Sequence, residues 1–70
     1  MLTPEQVQAM IGEVINAEMI QVEGDGHHFF AAIVSADFEG KPRLARHRLI
    51  KDGLADRLAS NELHALSISV

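Results

Sequence analysis

The stretch "EMIQVEGDGHHFFAAIVS", residues 18 to 35, decides the fold. Ile20 and Val22 alternate with Gln21 and Glu23, the period of two that marks a half-buried strand, and Gly24-Asp25-Gly26 supplies the small residues of a hairpin turn. "HHFFAAIVS" reads as the second strand. It is apolar on both parities, Phe30, Ala32 and Val34 against Phe29, Ala31 and Ile33, which predicts a central strand with little solvent on either face. His27 and His28 stand between the turn and that strand, an odd position for two imidazoles unless the turn presents them.

Upstream, "TPEQVQAMIGEVINA" opens with Thr3 as N-cap, Pro4 at the first helical position and Gln6 three residues after the cap, a capping box. Val7, Met10, Ile11, Val14 and Ile15 then recur at helical spacing, predicting a helix that runs to about Ala17. Downstream, Gly40 and Pro42 punctuate "ADFEGKPR", and a second helical pattern places Leu44, His47, Ile50, Leu54 and Leu58 on one face. Asp52-Gly53 inside it predicts a kink or a break into two short helices. "NELHALSISV" closes the chain with Leu66, Ile68 and Val70 alternating against Ala65, Ser67 and Ser69, a last strand that His64 opens.

The order α-β-β-α(α)-β predicts an α+β fold, a three-stranded mixed sheet with helices on one face. The first two strands form a hairpin, and the third, reached through a helical crossover, lies parallel to the second. Seventy residues make a single domain, 1-70, with no internal repeat or linker.

Composition narrows the function classes. A chain this short buries only about 60% of its unfolded surface, which argues against a self-contained multistep enzyme. Cysteine is absent, so thiol catalysis, disulfides and thiolate metal sites are excluded, and His, Asp and Glu are the strong metal ligands that remain. No apolar run approaches the ~18 residues of a membrane span and the start is acidic, so the expectation is a cytoplasmic protein without membrane association. The net charge is −4, yet all six basic residues (Lys41, Arg43, Arg46, Arg48, Lys51, Arg57) fall between positions 41 and 57. That polarity suits an acidic partner or weak nucleic-acid binding.

Four motifs in order then resemble the BolA-like family: "VEGDGHHF", the Phe38-x-Gly40 turn, the Arg46-His47-Arg48 triplet inside the following helix, and His64-Ala65-Leu66-Ser67. The resemblance spans residue 3 onward and is nearest to the acidic, short-loop members. It implies a fold similar to class II KH domains and a role as partner of monothiol glutaredoxins in handling [2Fe–2S] clusters. It further implies that His64 and one loop histidine are cluster ligands. His28, in the pair His28-Phe29, is the nearer match, with His27 the alternative. The remaining ligands would be thiolates of the glutaredoxin and its glutathione, so the isolated chain is expected to be a cluster-free monomer that forms a heterodimer with the glutaredoxin.

Each residue also has a plainer reading. His27 and His28 suit a polar turn, and His64 suits the start of a strand. His47, in the apolar stripe, reads as a hydrogen-bonded core histidine and stays outside the ligand set. Catalysis is not expected, because Asp25 beside the loop histidines lacks a positioned nucleophile or a phosphate-cradling glycine loop. The alternative function is a nucleic-acid-binding transcriptional regulator using Lys41, Arg43, Arg46, Arg48 and Lys51. Against it, Arg46 and Arg48 project about 200° apart on a helix. The Gly-x-x-Gly loop of KH domains is also missing.

Overall fold

The computed structural model describes residues 2–70. Its elements run α1 (Pro4–Val14), β1 (Met19–Gly24), β2 (Phe29–Val34), a 3-10 turn (Ala36–Phe38), α2 (Arg43–Leu54), α3 (Ser60–His64) and β3 (Leu66–Ser69). The strand order is β1-β2-β3. β1 pairs antiparallel with β2, Ile20 opposite Ile33, and β3 pairs parallel to β2, Phe29 opposite Leu66. The α+β class, the mixed sheet and the central place of β2 agree with the sequence reading.

α1 starts where the capping box requires. The Gln6 amide donates to Thr3 Oγ1 at 3.2 Å, and the Thr3 amide donates to Gln6 Oε1 at 2.8 Å, so two of the orphan N-terminal donors are satisfied by two side chains. The helix stops at Val14, three residues short of the expected end. Ile15 is already extended, and its side chain stays buried while the backbone turns toward the sheet. The amide of Glu18 then donates to the Val34 carbonyl at 2.8 Å, and Ser35 Oγ donates to the Asn16 carbonyl at 2.7 Å. Pairing with the end of β2 thus claims the residues that a longer helix would have used.

The core lies between the helices and one face of the sheet. Val7, Ile11 and Ile15, Phe29, Ala31 and Ile33, Ile50, Leu54 and Leu58, and Leu66 are all buried there. Full burial of each large aliphatic side chain contributes about 1.5–3 kcal/mol against exposure. The second parity of β2 is open, contrary to the prediction of a strand covered on both faces: Phe30 is 60% and Val34 53% exposed. Helices cover only one side of the sheet, so the apolar character of that parity has no partner within the chain.

The reading of the second half is also corrected at Leu44 and His47. Leu44 does not join the buried stripe and is 64% exposed. It lies about 120° around the helix from Ile50. The first turns of α2 reach past the core beside the end of β3, so His47 is half-buried, against Ile68, Ser69 and Val70, and is not a core histidine. Gly53 does not kink α2, but the helix ends one residue later, at Leu54, and the short α3 follows, the break into two helices that the sequence predicts. The role of Gly53 is close approach: a Cβ there would overlap the Val14 side chain, so glycine lets α2 pack directly on α1.

Gly53→Ala therefore tests helix packing. Alanine adds up to about 1 kcal/mol of helix propensity, but overpacking against the stiff, β-branched Val14 costs about 1–3 kcal/mol. A net loss of stability is expected in urea titrations. The Val14→Ala background, which opens room for the new methyl, should make Gly53→Ala neutral or stabilising.

Candidate functional site

The loop that carries the first two histidines is tied by its backbone. The Asp25 carboxylate accepts the amides of His27 at 2.8 Å and of His28 at 2.9 Å, and the Asp25 amide donates to the His28 carbonyl at 3.2 Å. Gly26 has φ of 93°, the left-handed conformation that glycine adopts without strain. Gly24 is required by contact, since a Cβ there would overlap the His28 carbonyl and the Phe29 ring. The amides are consumed in holding the turn while both histidine residues remain exposed. The His28 and His27 amides, in that order, hold the Asp25 carboxyl below its ordinary value.

His64 arrives differently from the sequence expectation. It is the last residue of α3 and does not open β3. The Ala65 amide still donates to the carbonyls of Asn61 and Glu62, both at 3.2 Å, and this keeps the chain helical until Leu66. The plainer reading of His64 as the start of a strand therefore does not hold. His64 is exposed at the corner between helix and strand.

The fold brings these two places together through one bond. The Phe29 amide donates to the Ala65 carbonyl at 2.9 Å. His28 precedes one of those residues and His64 the other, so the parallel pairing of β2 with β3 sets the histidine-bearing turns side by side at one end of the sheet. His27 is one position further into the turn. Among the described residues no group of three or more His, Asp or Glu forms a metal-holding cluster, so His27, His28 and His64 do not make a closed shell by themselves.

The basic segment is divided by the structure. Lys41 Nζ donates to the Asp37 carbonyl at 2.9 Å, and Arg46 Nε donates to the Lys41 carbonyl at 2.8 Å while its guanidinium lies 5.7 Å from the centre of the Phe38 ring. These two cations fasten the turn before α2, in which Gly40 takes φ of 74°. Arg57 pairs with Glu13 at 3.1 Å. Arg43, Arg48 and Lys51 remain exposed on α2, with Arg43 and His47 beside the end of β3. Arg46 and Arg48 thus diverge as the helical geometry predicts. The sequence reading missed Leu44 as a surface residue; the signals were its angle from Ile50 and its cationic neighbours one turn away.

A mixed sheet with helices on one face, paired exposed histidines at one end and a cationic helix at the other define a small α+β domain that presents its chemistry on its surface. The chain belongs to the BolA-like family, whose model ("BolA-like protein") matches residues 5–70. It is 40% identical over 72 residues to Protein BOLA2 of Arabidopsis thaliana, covering 97% of this chain and 75% of the relative. It is 42% identical over 66 residues to the DNA-binding transcriptional regulator BolA of Vibrio cholerae, covering 91% of this chain and 61% of the relative. Among solved structures, a bolA protein homologue from Coxiella burnetii superimposes with a TM-score of 0.85 at 36% identity, over 99% of this chain and 88% of that one. No helix of the described residues is long and apolar enough to cross a membrane.

Asp25 gives the site a pH signature. Its carboxyl titrates lower folded than unfolded, so its hold on the turn is complete above the unfolded value, about pH 4, and is lost as pH falls through the folded value. The Asp25 side-chain carboxyl 13C resonance should hold its ionised position from neutral pH to about pH 4 and move only below it. Asp25→Ala should accelerate hydrogen exchange at the His27 and His28 amides at neutral pH.

Proposed function

We propose that this protein is an adaptor that binds a monothiol glutaredoxin and contributes His28 and His64 to a [2Fe–2S] cluster held by both proteins, for cluster trafficking or iron sensing. The observation that carries this reading is the Phe29–Ala65 hydrogen bond. It holds the residues that follow the two histidines against each other, so neither imidazole depends on a mobile tail for its position. The cluster is cargo here. Imidazole nitrogen is a good iron ligand, and exposed side chains at a sheet end can meet an iron on a partner's surface.

The division of donors follows from composition. This chain has no cysteine, so thiolates would come from the glutaredoxin and its glutathione, and this chain would supply nitrogen. Nitrogen in place of thiolate at one iron raises the reduction potential of a [2Fe–2S] centre. The chain's own contribution is positional: the Asp25 carboxylate and Gly26 fix the loop, and the last turn of α3 fixes His64. His28 is favoured over His27 because it adjoins the hydrogen-bonded Phe29.

Both histidines are exposed, so His28→Ala and His64→Ala should each change stability by no more than about 0.5 kcal/mol. Adding wild-type protein to a cluster-loaded monothiol glutaredoxin should shift the visible circular dichroism. Either substitution should diminish or alter that shift, whereas His27→Ala should leave it unchanged. A full wild-type shift with His64→Ala would remove His64 from the ligand set.

The second reading is nucleic-acid binding within transcriptional regulation, favoured by the description of the Vibrio cholerae relative as a DNA-binding regulator. With Lys41 and Arg46 engaged by backbone carbonyls, the cations available on α2 are Arg43, Arg48 and Lys51. Three phosphate contacts correspond to a slope of log K against log salt of about −2.7. Duplex binding should therefore be weak and no steeper than this; a slope twice as large would require a second basic surface.

A further inference from the structure

From the outer face of α2 we infer a second docking surface, separate from the histidine end, for a protein partner that offers an apolar pocket with an acidic rim. Leu44, Arg48 and Lys51 fall at i, i+4 and i+7 and are all exposed, so they form one stripe on the helix surface, whereas His47 is turned toward the end of β3. Leu44 is 64% exposed at the start of that stripe, with Arg43 beside it. The described structure gives Arg43, Arg48 and Lys51 no salt bridge, although the chain carries ten acidic residues. No acidic residue occurs between positions 43 and 51. Asp52, one turn after Arg48, borders the stripe on the side away from Lys51, and Asp56 lies beyond the end of α2.

Charge complementarity identifies the occupant as acidic, and Leu44 identifies it as protein. Cations steer an acidic surface, while an exposed branched apolar side chain among them gains nothing from phosphate and gains from entry into an apolar pocket. The stripe is also remote from the proposed cluster ligands. Arg43 and His47 adjoin Ile68, Ser69 and Val70, at the far end of β3 from Ala65 and Phe29. β3 is four residues long, so the two ends are roughly 10 Å apart along the strand. Leu44 and the cations of α2 are thus separate from the proposed ligands His28 and His64, and the inference stands whether or not that cluster reading holds.

The test uses full-length, 15N-labelled protein and three probes of similar length: a peptide alternating Glu with Leu, polyglutamate, and duplex DNA. The Glu–Leu peptide should perturb the amides of Leu44, Arg48 and Lys51 and bind at least about fivefold more tightly than polyglutamate. Leu44→Ser should remove that advantage, while Arg48→Glu with Lys51→Glu should abolish binding of both peptides. These residues are exposed, and unchanged circular dichroism and urea midpoints would establish that the variants fold. Equal binding of the two peptides, perturbations mapping elsewhere, or tighter binding of DNA to the same stripe would each overturn the proposal.

Discussion

The parallel pairing of β2 with β3 is the constraint on which the rest of the structure depends. A parallel neighbour needs a crossover, and here residues 35 to 65 make it, packing Phe38, Ile50, Leu54 and Leu58 over the sheet face that α1 also covers. The bond from the Phe29 amide to the Ala65 carbonyl marks where the crossover returns. Phe29 and Leu66 are buried on the core side, while His28, one residue before Phe29, and His64, two residues before Leu66, stay exposed at the sheet end. Closing the core and juxtaposing the histidines are thus two results of one register.

The polar contacts reinforce that register economically. Asp25 satisfies two loop amides, Ser35 joins the exit of α1 to the turn after β2, and Arg46 locks the turn before α2 onto Phe38. The Asp25 and Arg46 contacts are local and the Ser35 bond reaches 19 residues back to Asn16, whereas most of the long-range organisation comes from aliphatic burial. The charged groups not used in this way, above all Arg43, Arg48 and Lys51, are left at the surface on α2.

Much of this was legible in the sequence. The capping box at Thr3, the alternation in β1, the glycine turn and the apolar β2 gave element types and order, and chain handedness gave the parallel third strand. What escaped was what periodicity does not encode. Helices reach only one side of the sheet, so the second apolar parity of β2 is open. Leu44 satisfied a helical pattern but lies beyond the covered sheet, and the close approach of Val14, from a distant segment, to Gly53 leaves no local signal. For the site, His27 and His28 could be singled out by their turn, and His64 by its family motif, but their proximity depends on the strand register. The helical setting of His64 follows from the last turn of α3, which a four-residue motif does not reveal.

The central claim is that His28 and His64 of this chain ligate a cluster shared with a glutaredoxin. The most direct measurement is pulsed electron paramagnetic resonance on the reduced complex, with only this chain's histidines labelled with 15N. Strong 15N couplings from directly bound imidazole, reduced by His28→Ala and by His64→Ala, are the predicted result. A reduced cluster in a verified complex whose spectrum carries no strong 15N coupling would contradict the account.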